Sequence, residues 1–243
     1  MLAERIKRPE AKRLAGEEFA RYARFIADLS DEELAKPTDC TGWDVRAMSL
    51  HILGSGDGQA SVKELLHQFR RGIPLNKEID SHHWVDGVNE IQVRDRAHLS
   101  NQELKDELAA VGPKAVKGRW RTPPPMRYMP VPFGPPIGWA PLKYLLDVGF
   151  TRDVWAHRID VCSALGREME ATPEHDGRLV ADIVTEWAGI HGEPFELELS
   201  GSAGGSYSQG SGGERVETDP WTFVRTLCGR VPGTGVLANP LPL

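Results

Sequence analysis

The sequence is poor in cysteine. It has three, Cys40, Cys162 and Cys228, far apart and with no CxxC pair among them. That excludes a disulfide framework and a cysteine-based zinc knuckle, so the three read as reduced thiols. Long apolar runs are missing too: nothing approaches the ~18 residues that suggest a membrane-spanning helix. The opening Met1-Leu2-Ala3-Glu4-Arg5-Ile6-Lys7 carries charges where a secretory signal would place its apolar core. A cytoplasmic protein is the expectation. Nor is there an excess of positive charge. The formal net charge is −6, which gives no reason to expect nucleic acid or an anionic membrane as a partner. No segment repeats in tandem. What is present is an ordinary globular composition, 40% hydrophobic and 26% charged over 243 residues, enough for one large domain or two small ones.

Helical periodicity dominates the first two thirds. Residues ~11–35 place Leu14, Phe19, Tyr22, Phe25, Ile26 and Leu29 at helical spacing. A second helix is expected to start at Thr41-Gly42-Trp43-Asp44, where Thr41 and Asp44 resemble a capping box, and to run to about Arg71. Gly54, Gly56 and Gly58 should soften it. Met48, His51, Ser55 and Gln59 fall on one stripe of this helix, a mix that suits the wall of a site better than a dry core. A third helical region covers ~85–118, broken near Leu99-Ser100-Asn101, with Ser100 and Glu103 as a restart cap. The proline-rich segment 122–136 excludes a regular helix. Its Met, Tyr, Val and Phe make it either a functional cover or a packed connection. A fourth helix spans ~141–165, with Pro141 in its first turn and Gly166 as its C-terminal cap. Four long helices argue for an up-down bundle.

The remainder changes character. Residues ~173–191 read as one more helix. Phe195-Glu196-Leu197-Glu198-Leu199 alternates with period two, as a half-buried strand does. Glycine-rich 201–213 reads as turns or a hairpin, and 215–218 as another strand. Asp219-Pro220 opens a last helix, capped by Asp219, that ends near Cys228-Gly229. The fold class expected is α+β, with a bundle over residues 1–168 and a small α/β domain over 169–243.

The chemistry concentrates on the fourth helix. Asp153 and His157 are four residues apart, so they project from one face. A carboxylate and an imidazole at that spacing can grip one metal ion. With His51 as a third ligand, coordination positions would stay open, as a catalytic metal requires. The plainer reading is a hydrogen-bonded pair and a core histidine. Apolar Val154, Trp155, Ile159 and Val161 argue against an exposed face, and a buried carboxylate without a partner costs on the order of several kcal/mol. Asp160 is a candidate supporting acceptor or rival ligand, unless Arg152 or Arg158 pairs with it. Ser55, Gln59 and Trp155 are pocket candidates. His82 and His83 read as loop residues. Arg230 is placed to bind an anionic group, or is a surface arginine.

Several segments, taken in order, carry a resemblance: Thr41-Gly42-Trp43-Asp44-Val45-Arg46 leading to His51; Asp86-Gly87-Val88-Asn89-Glu90; Arg152 through Asp160; Gly201-Ser202-Ala203-Gly204-Gly205; and Leu227-Cys228-Gly229-Arg230. Over nearly its whole length the chain resembles the actinobacterial mycothiol-dependent maleylpyruvate isomerase family, a branch of the DinB-like metal-binding four-helix bundles. The resemblance implies a sterol-carrier-like C-terminal domain and a divalent metal, zinc by family habit, held by His51, Asp153 and His157. Asp153 stands where the isomerase proper has Glu, one methylene longer. The family also implies mycothiol as thiol cosubstrate and Arg230 as the catalytic arginine. In the implied chemistry the thiolate adds to a cis double bond of a maleylpyruvate-like substrate, the new single bond rotates, and elimination gives the trans product. Transfer of mycothiol to an electrophile would use the same thiolate. A third reading is a non-catalytic carrier that binds its ligand in the bundle cavity. Bundles of this kind often form homodimers, so a second copy is a candidate partner.

Overall fold

The computed structural model describes residues 1–79 and 83–242. In chain order its elements are α1 (Arg8–Ala27), α2 (Asp31–Leu34), α3 (Val45–Ala60), α4 (Val62–Leu75), α5 (Asp86–Arg94), α6 (Asn101–Arg121), α7 (Pro124–Arg127), β1 (Pro130–Pro132), β2 (Trp139–Pro141), α8 (Leu142–Tyr144), α9 (Phe150–Leu165), α10 (Arg178–His191), β3 (Phe195–Leu199), β4 (Gly205–Gln209), β5 (Glu214–Thr218) and α11 (Pro220–Leu227). The class is α+β. None of the described helices is long and apolar enough to cross a membrane. The chain divides into two compact units. One holds residues 15–124 and 160–167; the other holds 1–14, 125–159 and 168–243.

In the first unit α3 packs on α4, α5 and α6, and α4 packs on α5. The expected apolar face of α1 is buried at Phe19, Tyr22 and Ile26, while Phe25 is only half-buried. Helix starts follow short polar side chains. Ser30 and Ser100 each form a complete capping box with the glutamate three residues on. Two sequence expectations need correction. The helix after Gly42 begins at Val45 rather than at Thr41. Gly42 takes a left-handed φ of 82° that turns the chain, and Asp44, not Thr41, caps the helix by accepting the Ala47 N–H at 2.7 Å. That helix also stops at Ala60. Ser61 is extended, ends α3, and caps a new helix by accepting the Glu64 N–H. The glycines do not soften α3, which runs unbroken through them. They let its neighbours approach: a Cβ on Gly54 would lie 2.5 Å from Gln92 Cβ, and one on Gly56 would lie 2.8 Å from Val111 Cγ2.

The second unit mixes helix and sheet. β3 is the central strand, antiparallel to β4 and parallel to β5. Its period-two pattern buries Phe195, Leu197 and Leu199 and exposes Glu196 and Glu198. Trp187 of α10 packs against Phe195 and Phe223, with ring centroids 5.0 and 5.4 Å away. Asp219 caps α11 through the Trp221 and Thr222 N–H groups, as expected. The proline-rich segment holds more order than its composition suggests. It contains the single turn α7 and the strand β1, which pairs antiparallel with β2 just beyond the segment. Both strands are edges, where a missing proline N–H does no harm. A π-helical turn, Leu145–Gly149, leads from α8 into α9.

Candidate functional site

His51 lies on the buried side of α3, close against the Trp43 ring at a centroid distance of 5.0 Å. Its Nδ1 is 2.7 Å from Gln92 Oε1 on α5. Gln92 Nε2 donates to Gln68 Oε1 on α4 at 2.9 Å. Gln68 Nε2 in turn donates to the Gly54 carbonyl at 2.8 Å and to Glu64 Oε1 at 2.9 Å. Glu64 accepts from Arg96 Nη2 at 2.8 Å, and Arg96 also donates to Asp57. Burial alone would push the Glu64 carboxyl up, but hydrogen bonds from Arg96 and Gln68 hold it below its ordinary 4.5. Neither Gln68 nor Gln92 was singled out from sequence. Two glutamines among apolar helical positions were the available signal.

Of the pocket candidates in this unit, Ser55 is buried and accepts from Gln59 Nε2 at 3.0 Å. Gln59 Oε1 is a buried oxygen with no hydrogen-bond partner among the described residues. Asp160 is buried and accepts from the Cys40 thiol at 3.8 Å. His83 is half-buried beside Trp84 and accepts the Val85 N–H; His82 lies outside the described residues.

Asp153 and His157 belong to the second unit. Asp153 Oδ1 and His157 Nε2 are 3.5 Å apart, one turn from each other on α9. Two ligands on a tetrahedral metal with bonds of about 2.1 Å have donor atoms about 3.4 Å apart. The pair therefore fits one edge of such a polyhedron. The two arginines flanking the pair find partners that sequence did not indicate. Arg152 is fully buried and donates to Asp182 Oδ2 at 2.6 Å and to Glu186 Oε2 at 2.5 Å. Arg158 donates to Asp176 Oδ1 at 2.7 Å. Trp155 is a core residue whose Nε1 also donates to Asp176, at 3.0 Å. Burial pushes the Asp176 carboxyl up, yet Arg158, the Thr172 N–H and Trp155 together hold it below 3.8. Arg230 follows α11 through the left-handed Gly229, and its Nη1 donates to the Cys228 carbonyl at 3.1 Å.

Comparison with known proteins adds a family and a fold. The family model of the mycothiol maleylpyruvate isomerase N-terminal domain matches residues 15–162. A crystal structure of the mycothiol-dependent maleylpyruvate isomerase is 15% identical, covers 95% of this chain and 92% of its own, and superposes with a TM-score of 0.56. A histidine-to-alanine mutant of the mycothiol-dependent maleylpyruvate isomerase is 16% identical over 93% and 90% of the two chains, also at 0.56. At such identities the likeness is one of fold. No curated protein matches the sequence.

Proposed function

The chain belongs to the mycothiol maleylpyruvate isomerase family, and from that membership we propose that it is a metal-dependent enzyme that uses the thiol of mycothiol to isomerise a maleylpyruvate-like substrate from cis to trans. The observation that carries this reading is the donor pair on α9. Asp153 and His157 hold a carboxylate oxygen and an imidazole nitrogen 3.5 Å apart, on a helix whose first turns the family match includes. His51 is the third ligand. Two imidazoles and one carboxylate suit zinc and leave a position open. A divalent cation there keeps a thiol in its thiolate form at neutral pH. Aspartate serves in place of the longer glutamate because the ligand chemistry is the same carboxylate.

The protein's own residues then have simple tasks. Asp153 and His157 present their donors from one helical turn, which requires no reorganisation. Arg230 binds a carboxylate of the substrate and faces the negative charge that develops on the adjoining carbonyl oxygen. Addition of the thiolate forms a C–S bond and moves the double-bond pair onto that carbonyl. Rotation follows about the resulting single bond. Return of the pair breaks the C–S bond and releases the thiolate, so nothing is consumed. A cytoplasmic setting, where small thiols stay reduced, fits this chemistry.

The test is metal content of wild type beside His157→Ala, followed by mycothiol titration of the cobalt-substituted protein and a maleylpyruvate turnover assay. About one metal per chain, lost in the variant, with a thiolate-to-cobalt charge-transfer band and turnover in wild type, is the expected result. Metal-free wild type, or metal that ignores the thiol, would overturn the proposal.

A further inference from the structure

We infer that Gln92 and Gln68 are positioning residues that hold His51 as its Nδ1–H tautomer, so that Nε2 is the nitrogen offered to a metal. The tautomer part stands on the first unit alone; the metal part rests on the function proposed above.

The direction of every hydrogen bond in the chain follows from its far end. The Gly54 carbonyl and the Glu64 carboxylate both accept and cannot donate. Both lie within 2.9 Å of the same Gln68 nitrogen. Gln68 must therefore turn its NH2 toward them, which turns its Oε1 toward Gln92. That oxygen needs a donor, so Gln92 presents its NH2 there and its own Oε1 to His51. An amide oxygen 2.7 Å from Nδ1 is satisfied only by a proton on Nδ1. In the neutral ring the lone pair then sits on Nε2. Flipping either amide would set oxygen against oxygen and NH2 against NH2 in a buried place. Burial is what gives the relay its authority: Gln68 is 0% exposed and Gln92 6%, so water cannot repair a mismatch.

The sequence of α3 has been shaped around these two amides. A Cβ on Gly54 would lie 2.5 Å from Gln92 Cβ, and a Cβ on Gly58 would lie 2.9 Å from Gln68 Oε1. The two glycines are four residues apart, on one face of the helix. Glycine is a poor helix residue, and at these positions it makes room for a glutamine on each of two neighbouring helices. Ligating histidines in metal sites usually donate their second nitrogen to such an oxygen, which fixes ring orientation as well as tautomer.

The experiment reads the His51 tautomer directly, by 15N NMR of histidine-labelled, metal-free protein, and zinc affinity by competition with a chelator. Wild type should show Nδ1–H alone. Gln68→Leu does not touch His51, yet it should free the Gln92 amide to flip and produce a mixture. A half-populated competent tautomer weakens zinc about twofold. Gln92→Leu should weaken it about 10–100-fold, while Gln92→Glu, which keeps the acceptor, should retain Nδ1–H. An Nε2–H signal in wild type would overturn the inference without any variant. So would Gln68→Leu and Gln92→Leu proteins that keep both a pure Nδ1–H signal and wild-type zinc affinity. Wild type with Nδ1–H and no zinc binding would overturn the metal assignment and leave the tautomer control standing; zinc held through Nδ1 would do the reverse.

Discussion

Each unit buries a polar network, and the two networks differ in character. In the second unit Arg152 and Arg5 face Asp182 and Glu186, with Arg152 and Asp182 completely enclosed. Burial would push the Asp182 carboxyl up, but the two arginines hold it below 3.8. The same burial pushes the neighbouring Tyr144 hydroxyl far above its ordinary range. In the first unit the side chains that reach His51 are neutral, two glutamines, although their relay is anchored on Glu64 and Arg96 and the same unit also buries Glu18, Arg119 and Asp160. The difference separates two jobs. Charges that compensate one another lock helices together, with Arg152 Nε a donor left without a hydrogen-bond partner among the described residues. The glutamine relay instead bears on which nitrogen of the His51 ring carries the proton. Polar burial by itself is thus no mark of function; what matters is the residue on which the network ends.

The largest test of this contrast is Arg152→Met. It leaves two buried carboxylates with the half-exposed Arg5 as their remaining cationic partner among the described residues, and unfolding by denaturant should show a loss of about 3–5 kcal/mol. Replacing Asp182 and Glu186 with apolar residues as well should recover much of it; a single variant as stable as wild type would show that the carboxylates do not depend on Arg152. Acid should find the same weakness. Asp182 and Asp176 have folded values below 3.8, so their stabilisation is complete above about pH 5 and is lost as pH falls through the folded values. Denaturation midpoints measured from pH 7 down to pH 2.5 should fall steeply only below about pH 4, and the slope should flatten in Asp182→Asn. Third comes Gly54→Ala. Overpacking against Gln92 costs about 1–3 kcal/mol, offset by up to about 1 kcal/mol of helix propensity. A net loss in urea is expected, and a gain would mean α5 has room to move. The smallest effect is Asp219→Ala, which removes the α11 cap from a region outside both networks. Thermal melting should register about 1 kcal/mol.

Much of this was legible in residue order. Helical periodicity located the long helices, Ser100 and Asp219 announced their own caps, and alternation in Phe195–Leu199 exposed the central strand. Asp153 and His157 could be paired because a helix relates residues four apart without any tertiary information. The errors were at boundaries and in partners. Thr41 could mimic a cap because the turn at Gly42 is not visible in a spacing rule. The β1–β2 ladder was missed because prolines mask strand propensity on edges. Arg152 was offered Asp160, its neighbour in sequence, when its acceptors were Asp182 and Glu186 on another helix.

Sequence alone determined the local facts: which stretches are helical, and that a carboxylate and an imidazole share one turn of α9. These depend on backbone geometry within a few residues. Tertiary structure decided which buried charges cancel and which neutral side chains line up into a relay. Arg152 reaches across 30 and 34 residues to its acceptors, and Gln92 across 41 to His51. Such distances in sequence carry no periodic signal, because the contact is made by helix packing, and packing at Gly54 is decided by the absence of a single carbon atom.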